Sequence, residues 1–133
     1  WREWNLDVIL KQAYEKNIIM SGVSAGAICW FEKGITDSWK NHQSILPCLG
    51  FVNGVCCPHY DEEPERIPFV KEILESNKID ECIAIDGYCA LHLINDFPKY
   101  SISFKNKADT HQVISNNGKI VHKTIIGVEK KII

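Results

Sequence analysis

The sequence predicts an α/β domain with an antiparallel C-terminal extension. Three observations carry that expectation. Residues 3–15 place Leu6, Ile9, Leu10, Ala13 and Tyr14 at helical spacing. Short apolar runs then alternate with turns and a second helical pattern as far as Ile85. Beyond that the chain is strand-like. Two turns there, Asp86-Gly87 and Asn116-Asn117-Gly118, carry the residue types that tight hairpins require.

The first helix stops near Asn17. Ile18-Ile19-Met20 reads as a short apolar strand, too short for a helix. Ser21-Gly22-Val23-Ser24-Ala25-Gly26 follows as a turn, and residues 25–32 read as a short buried helix ended by Gly34. Residues 34–47 are polar and irregular, with Thr36-Asp37-Ser38 inside. Residues 49–57 read as a strand interrupted by Asn53-Gly54, and residues 58–63 as a loop rich in ionisable groups. Pro64 or Glu65 opens a helix through Ser76, with Ile67, Val70, Ile73 and Leu74 on one face. Cys82–Ile85 and Tyr88–Ile94 flank the first predicted hairpin turn. Tyr100–Phe104 alternates weakly, and Val113-Ile114 and Ile120-Val121 flank the second turn. No repeat, low-complexity tract or linker interrupts the 133 residues, so a single domain is expected.

Composition narrows the function. Hydrophobic residues are 45% and charged residues 24%, the balance of a globular chain rather than a disordered one. The net charge of −2 lacks the basic excess of a nucleic-acid binder. Apolar runs are too short for a membrane span. No charged-then-apolar leader is visible, so a cytoplasmic protein is expected. The chain begins at Trp1 inside a helical pattern, and is therefore expected to be the C-terminal portion of a domain whose upstream strands are missing. Trp1, Trp4 and Trp39 look exposed and belong either to a partner surface or to that missing core. A homodimer is admitted as a state of assembly.

The six cysteines lack a framework spacing and sit mostly in apolar runs, which points to reduced, buried thiols. Cys56, Cys57 and His59 have no second ligand pair at finger-like spacing, so no metal and no cofactor are expected.

Gly22-Val23-Ser24-Ala25-Gly26 matches Gly-x-Ser-x-Gly. A nucleophilic serine must lift its Oγ above a strand end on a strained strand-to-helix turn. The residues two before and two after it approach closely there, and glycine removes the colliding side chains. The Ala25 N–H can then face a developing oxyanion. The competing reading is an ordinary glycine-rich turn that packs helix on sheet.

A serine needs a base, and His42, His59, His92, His111 and His122 are the candidates. His59 stands out because it follows directly on the strand ending at Cys57, and catalytic groups of open α/β sheets gather at strand carboxyl ends. The base needs a carboxylate to fix its tautomer. Asp37 lies between Ser24 and His59. Asp61, Glu62 and Glu63 stand so close behind His59 that they read as a solvated loop. A rival triad in α/β-hydrolase order is Ser24, Asp86 and His111.

The elbow Gly22-Val23-Ser24-Ala25-Gly26-Ala27, then Thr36-Asp37-Ser38, then Cys57-Pro58-His59-Tyr60-Asp61, resembles the dipeptidase E and cyanophycinase family of serine peptidases, in its peptidase E-like branch. The likeness runs from residue 1 to about 95. It implies a class I glutamine amidotransferase-like fold: a three-layer, mostly parallel sheet with helices on both faces, here followed by antiparallel hairpins. It also implies a Ser24, His59 and Asp37 triad. The implied reaction is hydrolysis of short peptides next to an aspartyl residue. Cys56-Cys57-Pro58 departs from cyanophycinase-like sequence before the histidine, which disfavours the polymer substrate. Arg66 is the candidate reader of a substrate carboxylate, against a plain role in the first turn of its helix. The resemblance puts the second oxyanion donor on an upstream glycine-rich turn outside these residues. By themselves they are then expected to be a poor or inactive catalyst. The alternative is a non-catalytic amidotransferase-like domain that keeps the elbow for packing and serves binding or assembly.

Overall fold

A computed structural model describes residues 1–38 and 42–125; Trp39 lies outside them. A 3-10 turn (Arg2–Trp4) leads into α1 (Leu6–Glu15). Then come α2 (Ala25–Ile28), β1 (Phe31–Thr36), β2 (Ser44–Pro47), β3 (Val52–Cys57) and α3 (Arg66–Glu75). The second half is β4 (Glu81–Ile85), β5 (Cys89–Ile94), β6 (Phe97–Ser103), β7 (Thr110–Asn116) and β8 (Lys119–Thr124). No helix among the described residues is long and apolar enough to cross a membrane.

Six strands form one sheet in the order β2-β1-β3-β4-β7-β8. Its centre is parallel: β1 pairs with β3 and β3 with β4. β2 joins antiparallel at one side, and β7 and β8 continue antiparallel at the other. The fold is α/β, as the sequence predicts. β5 and β6 form a separate two-stranded ribbon.

Period-two alternation loads both faces of the central strands. Val55, Cys57, Cys82 and Ala84 face α3 and pack on its Val70, Ile73 and Leu74. Cys56 and Ile83 face the other way, toward Ile28 of α2, with Leu91 and Leu93 of the ribbon packed against them. Each buried aliphatic side chain contributes roughly 1.5–3 kcal/mol through water exclusion. The same alternation puts Cys56 and Cys57 on opposite faces, so the two thiols cannot converge on one ion. All six cysteines are free.

Several elements differ from expectation. Residues 18–20 form no strand; they have no ladder partner among the described residues, and Ile19 is 91% exposed. The helix after the elbow ends at Ile28, not near Gly34. Gly34 lies within β1, where a Cβ would press on the Ile28 side chain. Residues 44–47, expected to be irregular, are β2.

Asp86-Gly87 is not a hairpin. β4 already has β3 and β7 as neighbours, so β5 finds no free edge there and pairs with β6 instead. The second hairpin, β7 to β8, does form. Asn117 and Gly118 carry φ of 50° and 74°, the positive pair that a twisted two-residue turn needs.

Candidate active site

Ser24 stands at the start of α2 with φ 54° and ψ −118°. A positive φ is costly for a residue with a Cβ and persists where the surroundings enforce it. Gly22 is part of that enforcement: a Cβ there would run into the backbone of Gly26. Gly26 itself has nothing within 4 Å of a Cβ position, so the expected collision applies to one glycine of the pair. The Gly26 and Ala27 N–H groups donate to Val23 and Ser24 carbonyls at 2.8 and 2.9 Å. The Ala25 N–H stays outside that ladder.

β3 and β4 are parallel neighbours, so the segments after Cys57 and Ile85 leave the same edge of the sheet. His59 lies in the first of them with φ 51°. Its Nε2 is 3.0 Å from Ser24 Oγ, and its Nδ1 is 2.9 Å from Glu62 Oε2. With Nδ1–H donated to the carboxylate, Nε2 is left to accept the serine proton. The His59 side chain is 34% exposed, which leaves the pair open to an incoming molecule.

The carboxylate on His59 is therefore Glu62 and not Asp37. Asp37 is half exposed and lies 3.8 Å from the Arg66 guanidinium. Proximity in sequence, which made Glu62 look like loop solvation, is what brings it to the ring. The left-handed bend at His59 turns the chain back, and the N–H groups of Glu62 and Glu63 both donate to the His59 carbonyl at 3.2 Å. The recoverable signal was a carboxylate three residues after a histidine at a strand end.

Arg66, the candidate substrate reader, is 3% exposed and turned into the protein. Its Nε donates to Glu63 at 2.7 Å and its Nη1 to the Ile35 carbonyl at 2.6 Å. The rival triad is half present. His111 Nε2 lies 3.2 Å from Asp86 Oδ2, but His111 Nδ1 is buried without a partner, and Ser24 Oγ is against His59. Asp86 also accepts the Asp109 N–H at 2.9 Å, so its carboxylate fastens loop to loop.

The hydrogen bond that His111 donates to Asp86 raises the His111 pKa, with burial opposing it. Burial, then the neighbouring His111, lowers that of His122. Burial pushes the Cys29 thiol up to about 11 and Cys57 up to about 12, far from thiolate chemistry at neutral pH. No group of three His, Cys, Asp or Glu side chains among the described residues is arranged as metal ligands.

The family model of peptidase family S51 matches residues 1–99. An uncharacterized peptidase of Bacillus subtilis (strain 168), YgaJ, is 40% identical over 114 residues, which cover 86% of this chain and 49% of that protein. The chain thus spans about half the length of this curated relative.

Proposed function

The chain belongs to peptidase family S51, and from that premise we propose that it is a serine peptidase acting on short peptides next to an aspartyl residue. The observation that carries the reading is the 3.0 Å approach of His59 Nε2 to a serine on a strained elbow. The aspartyl preference rests on the family likeness alone. So does a three-layer, class I glutamine amidotransferase-like arrangement of the whole domain.

The chemistry follows from the atoms in place. Ser24 Oγ bonds to the scissile carbonyl carbon as His59 Nε2 takes its proton. The imidazolium is stabilised by Glu62, whose charge lies against Nδ1–H. The Ala25 N–H donates to the oxyanion, and a second donor from another segment completes the hole. His59 then gives its proton to the leaving amine. Water, deprotonated by the same Nε2, releases the acyl group and restores Ser24.

A fluorophosphonate probe on the full-length protein tests the reading directly. Labelling at Ser24 is expected, with loss in Ser24→Ala and a sharp fall in His59→Ala. Turnover of an aspartyl, glutamyl and neutral dipeptide panel then assigns the acid. Glu62→Gln is expected to lose far more than Asp37→Asn or Asp86→Asn. A large loss confined to Asp37→Asn restores the acid implied by the resemblance. One confined to Asp86→Asn favours the rival triad. Absence of any labelling points to a binding domain instead.

A further inference from the structure

Four aromatic and acidic groups lie behind the catalytic pair without a part in the steps above. Tyr60 directly follows His59 and is 4% exposed. Its N–H donates to the Ile85 carbonyl at 3.1 Å, and its hydroxyl lies 2.8 Å from His122 Nε2 on β8. The His122 ring meets the His111 ring edge-on, centroids 6.0 Å apart. His111 in turn is held by Asp86 at the end of β4.

From this geometry, and resting on the serine-peptidase reading, we propose that Tyr60 and His122 form a positioning pair that holds His59 against Ser24, and that protonation of His122 releases that hold. His59 sits in a left-handed backbone conformation, which costs roughly 1–3 kcal/mol for such a residue and must be enforced from outside. Tyr60 enforces it at two points, through its backbone on β4 and through its hydroxyl on β8. Neutral His122 accepts the Tyr60 O–H at Nε2 and carries its own proton on Nδ1. A proton added at Nε2 turns that acceptor into a donor. The tyrosine hydroxyl must then rotate, and a second positive charge appears beside His111.

The groups around His122 set the balance. From β7 comes His111, tied to Asp86 at the end of β4. From the loop after β3 comes Tyr60. The groove between α3 and β8 that His122 borders also carries Lys71, Glu75 and Lys119. Glu75 lies 3.8 Å from Lys71, so the nearest acid on α3 already faces a cation. Little negative charge is left over to support a cationic His122.

The test is the acid side of the kcat/KM profile, which reports ionisations of the free enzyme. Wild type is expected to fall more steeply than a single protonation allows, with an extra drop of roughly tenfold as His122 gains its proton. His122→Gln keeps an acceptor but cannot take the proton. It is expected to fall with a slope of one, at a neutral-pH cost of roughly threefold. Tyr60→Phe is expected to lower kcat roughly tenfold with KM little changed, a split that a general loss of folding does not produce. Histidine-ring NMR reads the coupling without turnover. The His59 ring signal should shift as His122 titrates, and His122→Gln should remove that shift. A His59 signal indifferent to His122, or a slope unchanged by His122→Gln, overturns the proposal. Coupling seen by NMR in a protein that neither labels nor turns over overturns the peptidase reading and leaves the pair standing.

Discussion

The backbone of Gly87 lies against the Glu62 carboxylate so closely that a methyl group there would occupy the space the carboxylate fills. The Gly87 N–H also donates to Asp61 Oδ1 at 2.6 Å, fastening the segment after β4 to the loop that carries His59. Position 87 thereby decides whether Glu62 can reach the imidazole.

Gly87→Ala should for that reason act as a catalytic lesion. The atoms it meets are the far end of a flexible side chain, which can swing away at little cost in stability. The melting temperature is expected to move by only a few degrees, about 1 kcal/mol or less. Turnover should fall roughly 10- to 1000-fold, toward that of Glu62→Gln, because His59 loses its orienting carboxylate. Steady-state kinetics beside thermal melts check this. An unchanged kcat in Gly87→Ala contradicts it.

The two elbow glycines should respond in opposite ways. Gly22→Ala drives a Cβ into the Gly26 backbone, which cannot move without undoing the strained turn at Ser24. Loss of probe labelling and a cost of several kcal/mol are expected, as for other overpacked sites. Gly26→Ala meets open space inside a helical turn and should be neutral or stabilising by roughly 0.4–1 kcal/mol. Chemical denaturation of both variants decides.

Stability should peak between two histidine titrations. His111 has a raised pKa in the folded protein. Its stabilisation is full below the unfolded value of about 6.5 and is lost as pH rises through the raised folded one. His122 has a lowered pKa. Its contribution is present above about 6.5 and is lost as pH falls through the lowered folded value. Denaturation midpoints across the weakly acidic to weakly alkaline range should show both limbs. His122→Gln should remove the acid one, and His111→Gln the alkaline one.

The buried thiols should be silent in the native state. Burial holds Cys56 and Cys82 well above the ordinary thiol range, with Cys57 at about 12. A thiol-disulfide reagent at mildly alkaline pH should leave these three unmodified until denaturant is added. All six cysteines should then react. Rapid native labelling of Cys57 is the contrary result.

Local pattern was enough to read the serine elbow, the histidine after β3, helices α1 and α3 and the β7–β8 hairpin. Each of these is written in neighbouring residues: glycines beside a serine, apolar spacing along a helix, Asn-Gly at a turn. The pairing partners of strands are not local. Asp86-Gly87 has hairpin chemistry, yet its strands separate because β4 is flanked on both sides by other strands. Ile18-Ile19-Met20 has strand character, but a ladder needs a neighbour that no single segment supplies.

Sequence by itself determined where the serine elbow and the histidine after β3 fall, because both are encoded in residue type and short spacing. Tertiary structure decided which carboxylate the base meets. Asp37 stands at the spacing the family likeness implies but is drawn to Arg66, while a left-handed bend at His59 and the bare backbone of Gly87 bring Glu62 to the ring. A hydrogen bond depends on position to within tenths of an ångström. That position depends on the end of β4 and the segment after it, which lie far from Ser24 along the chain and are fastened to the loop that carries His59.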